Sequence, residues 1–247
     1  MKKTISLILC LVFCFACFAP SALAADKVLK VATNVAFPPY EYYEDEKVVG
    51  IDVDIVQAIC DKLGYEMELS DMEFGSIITA VAAGKVDVGF GAITITEERA
   101  KSVNFTTSYS TGIQSIIVKE DSPITGVEDL EEKGIKIGVQ QDTTGDIYAT
   151  DQFGEDHMAR FNKGADAVQA LITGKVNCVI IDNSPAETFV AQNKGLKILP
   201  TAYAEEAYGF ELNKNATELY EEFNGALEEL LKDGTVQKII DKYISAD

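Results

Sequence analysis

Short apolar runs alternate with longer amphipathic stretches from residue 29 to the end of the chain. Runs of the first kind are typical of strands, and apolar residues that recur every three or four positions are typical of helices. Strands are predicted at 29–33, 65–69, 86–93, 113–119, 135–139, 177–181 and 208–212. Helices are predicted at 52–63, 76–83, 165–173, 185–193, 217–231 and 236–243. The alternation predicts an α/β fold with mainly parallel sheets flanked by crossover helices.

A helix end, a glycine stop and a strand start occur twice in the chain. Ala80-Val-Ala-Ala-Gly84-Lys-Val-Asp87 returns as Ala170-Leu-Ile-Thr-Gly174-Lys-Val-Asn177. Glycine often ends a helix because it tolerates the left-handed conformation that follows the last turn. The repetition predicts two similar α/β units.

The residues that follow the two copies differ in charge. The first copy leads through an apolar strand to Thr94 and Arg99, whereas the second leads to Asp182. Ligands of open α/β sheets bind beyond the carboxyl ends of the strands. Two facing units would therefore hold a small zwitterion, with its carboxylate on Arg99 and its ammonium on Asp182. A free amino acid has this charge pattern. Asp182 also fits the N-cap of helix 185–193, and the two roles are compatible.

Two segments are predicted to connect the units. Residues 108–113 lead out of the first unit and residues 204–208 lead back. The first unit is then discontinuous, and the C-terminal helices complete it. We expect a first lobe of residues 25–109 and 208–247 and a second lobe of residues 110–207, which includes the connections.

The first 24 residues are typical of a secretory signal peptide. Lys2 and Lys3 precede an apolar run, and Ala22-Leu-Ala24 fits a cleavage site, so the mature chain is predicted to begin at Ala25. The apolar run is too short for a confident membrane span, and no later run approaches the roughly 20 apolar residues that a spanning helix needs. Lipid attachment at Cys17 is the less favoured alternative.

The chain is strongly acidic, with a formal net charge of −19 at pH 7. Such a surface repels nucleic acid and anionic lipid, so no nucleic-acid partner is expected. Outside the signal peptide only Cys60 and Cys178 remain, in different halves of the chain, and no disulfide framework is expected. His157 is the only histidine, which leaves little for a His-based metal site or nucleophile. Asp52 and Asp54 lack the other ligands of a calcium loop, and a helix N-cap explains Asp52.

Several ordered motifs make the chain similar to a known family. They are the segment 50–63, the run 32–41, the run 92–99, the run 140–145 and Asp182. Over residues 28–247 the chain resembles the extracellular solute-binding proteins of family 3, the polar amino acid receptors of ABC importers. It looks most like their glutamine and lysine/arginine/ornithine or histidine receptors. The resemblance implies the two-lobed type II periplasmic-binding fold and hinge closure around a free L-amino acid. It also implies a membrane permease as partner, a periplasmic or extracellular monomer, and no cofactor, metal or catalytic residue.

The resemblance also implies a site with contributions from both lobes. Arg99 would bind the ligand carboxylate, with help from Thr94 and a backbone donor near Thr144. Asp182 would bind the ammonium group. A planar guanidinium can grip a carboxylate through two parallel hydrogen bonds, which fits the role of Arg99. The candidate set is Asn34, Phe37, Phe74, Gly91, Ala92, Thr94, Arg99, Gln140, Thr143, Thr144 and Asp182.

The ligand's side chain is less determined by the sequence. Phe37 and Phe74 match the two aromatic residues that sandwich it in the family. Asn34 matches a position that is often acidic in receptors for cationic ligands or glutamine, and Gln140 lies where selection of the side chain is also expected. Neutral amides suit an amide side chain, so glutamine is slightly favoured over a basic amino acid. A basic ligand would need an anion from elsewhere, and the nearby candidates are Glu41, Glu73 and Asp142.

Two other classes of function stay open. An enzyme similar to cyclohexadienyl or arogenate dehydratase has the same fold and would need a proton donor in the cleft, for which Glu41 or Glu73 is available. The combination of Arg99 and Asp182 favours an intact amino acid instead. The sensory domain of a receptor or channel would need a membrane segment, and none is expected after residue 24.

Overall fold

The structure is a computed structural model that describes residues 27–200 and 203–244. The predicted signal peptide of residues 1–24, the mature start at Ala25 and the alternative lipid site at Cys17 lie outside the described residues. Within the described ranges no helix combines the length and the apolar character needed to cross a membrane.

The first lobe consists of a five-stranded sheet with helices packed against it. Its elements, numbered in chain order through both lobes, are β1 (Lys27–Thr33), β2 (Tyr42–Glu44), β3 (Lys47–Val49), α1 (Ile51–Leu63), β4 (Tyr65–Asp71), α2 (Phe74–Ala82), β5 (Val88–Gly89), β6 (Val103–Phe105), β13 (Glu211–Asn213), α6 (Thr217–Lys232) and α7 (Thr235–Tyr243). The strand order of the sheet is β4-β1-β5-β13-β6, and β2 and β3 form a separate hairpin.

The second lobe has the same general plan. Its elements are β7 (Ser110–Lys119), β8 (Ile137–Gln140), α3 (Thr144–Phe153), β9 (Met158–Phe161), α4 (Gly164–Ile172), β10 (Cys178–Asp182), α5 (Asn183–Gln192), β11 (Leu196–Ile198) and β12 (Ala204–Tyr208). The strand order is β11-β7-β10-β8-β9, and β12 also pairs with β7. The predicted two-lobed α/β fold is confirmed.

Each sheet is parallel on one side and antiparallel on the other. In the first lobe β1 runs parallel to β4 and β5, whereas β13 runs antiparallel to β5 and β6. In the second lobe β8 runs parallel to β9 and β10, whereas β7 runs antiparallel to its neighbours β10, β11 and β12. The expected parallel pairing therefore describes one half of each sheet. The antiparallel half includes the strands next to the connections, where the chain leaves one lobe and returns from the other.

The apolar cores lie between the sheets and their helices. Val31, Ile55 and Ile59 are fully buried in the first lobe, and Ile116 and Ile137 are fully buried in the second. Each such side chain contributes roughly 1.5–3 kcal/mol of burial free energy. The strand ends and loops that face the other lobe are therefore supported by a well-packed core.

The internal repeat corresponds to one structural unit that occurs in both lobes. The glycine of each copy follows its helix with a left-handed backbone, at φ of 66° and 74°. Three residues later, the side chains of Asp87 and Asn177 take the same role. The Asp87 carboxylate accepts a hydrogen bond from the backbone N of Lys30 at 2.8 Å, and Asn177 Oδ1 accepts one from the backbone N of Lys136 at 2.7 Å. The predicted pair of similar units is confirmed.

The two predicted connections pair with each other. Segment 204–208 is a strand, β12, and it runs antiparallel to β7 with Tyr208 opposite Ser110. Tyr208 also forms a β-bridge with Thr94 of the first lobe. Pairing satisfies backbone groups that a buried connection would otherwise leave without partners. The lobe limits at residues 109/110 and 207/208 stay a prediction.

Several short elements were not expected from the pattern. They are the β2–β3 hairpin, β6, β9, β11 and helix α3. The strands have only three or four residues, too few to show an alternation. Helix α3 carries Asp146, Thr150 and Asp151 among its ten residues and has no continuous apolar stripe. Tertiary contacts, and not a strong local pattern, define these elements.

Candidate functional site

A cavity lined by residues of both lobes lies between them. Small-molecule sites are usually concave, with a few polar groups that converge on the ligand, and this cavity has that character. All eleven candidate residues from the sequence line the cavity, and among the described residues Glu41 is the one further residue in its wall. Chain segments as distant as Asn34 and Asp182 are therefore brought to one place.

The ends of strands position most of these side chains. Asn34 follows β1, Gly91 and Ala92 follow β5, Gln140 ends β8, and Asp182 ends β10. The parallel strands of each lobe end at the same edge of their sheet, so the residues after them converge. Helix α3 begins at Thr144 beside this edge. The cavity thus lies where the carboxyl ends of the two sheets face each other.

A turn at Gly91 and Ala92 shortens the predicted strand 86–93 to Val88–Gly89. Gly91 and Ala92 have φ of 146° and 47°, and the carboxylate of Asp52 accepts hydrogen bonds from both backbone N–H groups, at 3.1 and 2.8 Å. The predicted N-cap role of Asp52 is wrong, because Gly50 occupies that position. Asp52 also accepts a hydrogen bond from the Tyr109 hydroxyl at 2.7 Å. Burial raises the pKa of Asp52 to about 6, against the effect of these donors.

Arg99 lies in the wall of the cavity with its guanidinium held in place. Nη1 donates to the carbonyl of Thr94 at 2.9 Å, and Nη2 donates to the carbonyl of Asp142, in the second lobe, at 3.1 Å. The guanidinium carbon is 5.4 Å from the centre of the Phe74 ring, within range of a cation–π contact. A guanidinium has more N–H donors than these two bonds use. Arg99 can therefore still bind a carboxylate.

Asp182 is the N-cap residue of α5 by position, but its side chain does not cap the helix. Oδ2 accepts a hydrogen bond from Gln114 Nε2 at 2.9 Å, and Oδ1 accepts one from the Tyr208 hydroxyl. Burial and the charge of Glu206 raise the pKa of Asp182 to about 7, while the Tyr208 and Gln114 hydrogen bonds lower it. The arrangement leaves a carboxylate in the cavity that an ammonium group would neutralise.

Glu41 also lines the cavity, although the candidate set omitted it. Its side chain is 1% exposed, and Oε2 has no hydrogen-bond partner among the described residues. Burial raises the pKa of Glu41 well above its ordinary value, and the charges of Asp52 and Asp182 add to this effect. A buried carboxylate without a partner is costly unless a cation or a donor reaches it. In the sequence, the position of Glu41 at the end of the 32–41 motif was the feature that could have identified it.

The two neutral amides bond to each other across the cleft. Gln140 Nε2 donates to Asn34 Oδ1 at 3.1 Å and to the carbonyl of Asn162 at 3.2 Å, while Asn34 Nδ2 donates to the carbonyl of Met72 at 2.9 Å. The carbonyl and amide groups of Asn34 are both engaged, and so is the Gln140 amide nitrogen. These amides consequently offer less to a ligand than the sequence indicated.

Two threonines at the N-terminus of α3 in the second lobe also line the cavity. Thr144 Oγ1 lies 3.3 Å from Thr94 Oγ1 of the first lobe, within hydrogen-bond distance. The Thr143 hydroxyl caps α3, accepting from the backbone N of Asp146 at 3.3 Å and donating to the carbonyl of Gln140 at 2.8 Å. Thr143 therefore shapes the cavity edge mainly through its capping bonds.

The two aromatic candidates have different neighbours. Phe37 is buried and stacks on Tyr40, with ring centres 6.1 Å apart. Phe74 begins α2 and faces Arg99. Both rings reach the cavity, so an apolar or planar part of a ligand would contact them.

The lobes also meet beside the cavity, at the start of α2. A Cβ on Gly75 would overlap the Asp142 carboxylate of the second lobe and lie 2.8 Å from its Cγ. Asn162 Nδ2 of the second lobe donates to Glu73 Oε1 of the first at 2.9 Å. The absence of a side chain at Gly75 therefore permits the close approach of the lobes.

Comparison with known proteins agrees with this geometry. The family model of bacterial extracellular solute-binding proteins, family 3, matches residues 29–246. The chain is similar to the arginine-binding extracellular protein ArtP of Bacillus subtilis (strain 168), at 32% identity over 256 residues and 100% of each chain. It is also similar to the structure of an ancestral arginine-binding protein bound to glutamine, with a TM-score of 0.83 and 38% identity over 89% of this chain and 98% of that one. The ancestral amino acid-binding protein AncCDT-1, described as a precursor of cyclohexadienyl dehydratase, has a TM-score of 0.80 and 30% identity over 87% of this chain and 95% of that one. The chain belongs to the bacterial extracellular solute-binding proteins of family 3.

Proposed function

We propose that this protein is an extracellular receptor that captures a basic L-amino acid, with L-arginine as the first candidate, and delivers it to the permease of an ABC importer. The observation that carries the proposal is the charge of the cavity wall, which has two carboxylates and one guanidinium. A basic amino acid carries two cations and one carboxylate. Each charge of the ligand can then face an opposite charge of the protein.

The three contacts are assigned by their positions. Arg99 of the first lobe binds the α-carboxylate, and Asp182 of the second lobe binds the α-ammonium. Glu41 of the first lobe binds the side-chain cation between the walls formed by Phe37 and Phe74. A ligand that contacts both lobes stabilises the closed state, because the open state cannot form all of these contacts. The same contacts make uptake selective for an intact, free amino acid.

Glutamine is the second candidate ligand, and the protonation state of Glu41 distinguishes it from arginine. A neutral side chain leaves Glu41 without a counter-charge, so glutamine would bind with Glu41 protonated. The raised pKa of Glu41 makes that form accessible. The bonding of Asn34 with Gln140 removes part of the reason for favouring glutamine. The name of the Bacillus subtilis relative also supports arginine.

We further propose that the protein is not an enzyme. Catalysis of a dehydration would need a positioned proton donor, and Glu41 is a candidate because burial favours its protonated form. The cavity instead offers an opposite charge to each charge of an intact basic amino acid, on Arg99, Asp182 and Glu41, and this favours binding over catalysis. Incubation with prephenate separates the two functions, because the proposal expects no product above the uncatalysed rate.

A thermal-shift screen of the twenty common L-amino acids, ornithine and citrulline tests the proposed function. A ligand at 100 times its dissociation constant stabilises the folded state by about 2.7 kcal/mol. We expect L-arginine to raise the unfolding temperature most, followed by other basic amino acids. Stabilisation by neutral amino acids alone would contradict the proposed ligand class, and the absence of stabilisation by any amino acid would contradict the receptor function.

A further inference from the structure

Gly112 lies on β7, which pairs with β12 at the junction of the lobes. Its φ lies outside the left-handed region, so the backbone conformation does not require glycine. A Cβ at this position would overlap the hydroxyl group of Tyr208 and lie 2.8 Å from Cε1 of its ring. The Tyr208 side chain therefore crosses β7 through the space that a side chain at position 112 would fill.

By this route the Tyr208 hydroxyl reaches Asp182. It donates to Oδ1, while Gln114 Nε2 donates to Oδ2 at 2.9 Å. Tyr208 lies on β12 and Gln114 on β7, so each strand of the joining pair supplies one donor to the same carboxylate. Tyr208 also forms the β-bridge with Thr94 of the first lobe. The carboxylate is thus attached to the two strands about which the lobes would move.

These donors matter because Asp182 lies among other acids. The charged and titratable groups that face it are Glu206 and Tyr208 from β12, Tyr40 and Glu41 from the segment before β2, and Arg99 from the first lobe. Burial is the largest effect and raises the pKa of Asp182 to about 7, whereas the Tyr208 hydrogen bond lowers it. Loss of the Tyr208 donor would leave more of Asp182 protonated at neutral pH.

We propose that Tyr208 is the positioning residue of Asp182, which it keeps ionised and oriented toward the ligand's α-ammonium from a place on the hinge strand. The inference rests on the proposed function for the identity of the group that Asp182 binds. Tyr208 is not among the described residues that line the cavity. Gly112 contributes to this arrangement, because the absence of a side chain there leaves room for the Tyr208 ring.

The test compares Tyr208→Phe with Tyr220→Phe. Tyr220 serves as the matched control because its hydroxyl donates to the carbonyl of Phe105, at 3.2 Å, within the first lobe. The affinity for L-arginine is measured by calorimetry from pH 5.5 to 9. The affinity should fall as the pH is lowered below the pKa of Asp182, because the carboxylate becomes protonated. In Tyr208→Phe we expect this fall to begin at a higher pH, with a loss of up to about tenfold for each unit by which the pKa of Asp182 rises. Above the new pKa the affinity should return to within about threefold of the wild-type value, and Tyr220→Phe should follow the wild-type profile.

A purely structural role would give a different result. In the Asp182→Asn background Tyr208→Phe should change the affinity by less than about threefold at every pH, because the carboxylate that it acts on is gone. Gly112→Ala, which displaces the phenol ring of Tyr208, should also move the fall in affinity at low pH to a higher pH. An unchanged pH profile of Tyr208→Phe, or an equal loss at all pH values in both backgrounds, would overturn the inference.

A ligand-free measurement separates this inference from the proposed function. Carbon-detected NMR titration of the Asp182 carboxyl group in the free protein should show a higher pKa in Tyr208→Phe than in wild type and Tyr220→Phe. If wild type binds no L-amino acid but this shift is present, the proposed function fails and the role of Tyr208 stands. If wild type binds L-arginine and the NMR shift is absent, the role of Tyr208 fails alone.

Discussion

Replacement of Glu41 by glutamine removes one charge from the cavity with little change in volume. The Glu41 side chain is 1% exposed, so a guanidinium beside it would be largely excluded from water. At a separation of about 4 Å and an effective dielectric constant of about 20, such a pair attracts by about 4 kcal/mol. Truncation of one partner of a buried, hydrogen-bonded charge pair costs about 2–5 kcal/mol, which is roughly thirtyfold to several thousandfold in affinity. We expect a loss in this range for L-arginine.

Citrulline provides the matched ligand, because a ureido group has almost the shape of a guanidinium and no charge. Calorimetric titration of Glu41→Gln should show the predicted loss for L-arginine and a change of less than about threefold for citrulline. Glu73→Gln is the control, because Glu73 lies outside the cavity wall and its Oε1 accepts from Asn162, a bond that an amide oxygen can replace. An equal loss for both ligands, or unchanged arginine affinity, would refute the assignment of Glu41.

Four further predictions follow from the same geometry. Arg99→Ala should fold and lose at least thirtyfold in affinity for L-arginine by calorimetry, because the α-carboxylate loses its counter-charge; a loss below tenfold would remove Arg99 from the site. Asp182→Asn should weaken L-arginine more than 5-guanidinopentanoate, which lacks the α-amino group, and equal losses would contradict the ammonium assignment. Gly75→Ala should accelerate ligand dissociation in stopped-flow measurements, because a Cβ would overlap the Asp142 carboxylate where the two lobes meet; an unchanged rate would show that this contact does not limit closure. Burial raises the pKa values of Asp182 and Glu211 to about 7. The folded ligand-free protein therefore binds more protons than the unfolded chain between about pH 4 and 7. Its free energy of unfolding consequently falls as the pH rises through that range. The unfolding midpoint should therefore be higher at pH 5 than at pH 7.5, with a smaller difference in Glu211→Gln, and an equal difference in that variant would exclude Glu211 as a contributor.

The sequence indicated the charged ends of the site because their positions follow from simple rules. Arg99 and Asp182 come after buried strands that end the two copies of one repeat, and the carboxyl ends of such strands meet at a cleft. The structure places both residues in the wall of one cavity. Phe37 and Phe74 were candidates through the family resemblance alone, because an aromatic residue after a strand is as typical of a core.

Other parts of the site depend on contacts between distant residues. The Glu41 carboxylate is buried in a segment whose carbonyls at Pro39 and Tyr40 accept hydrogen bonds from the start of α1, and no local pattern encodes these contacts. Asp52 fits an N-cap by sequence, yet its carboxylate holds the turn at Gly91 and Ala92 instead. That turn also ends strand β5 earlier than the apolar run predicts. The role of Asn34 differed for the same reason, since its partner Gln140 belongs to the other lobe.

A crystal structure of the protein with L-arginine tests the central claim most directly. The account predicts one arginine molecule in the cavity between the lobes, with its carboxylate on Arg99, its α-ammonium on Asp182 and its guanidinium on Glu41. Hydrogen bonds from L-arginine to all three side chains would support the charge assignment as a whole. L-arginine bound outside this cavity, or bound with its guanidinium at Asp182 and its α-ammonium away from both carboxylates, would contradict it.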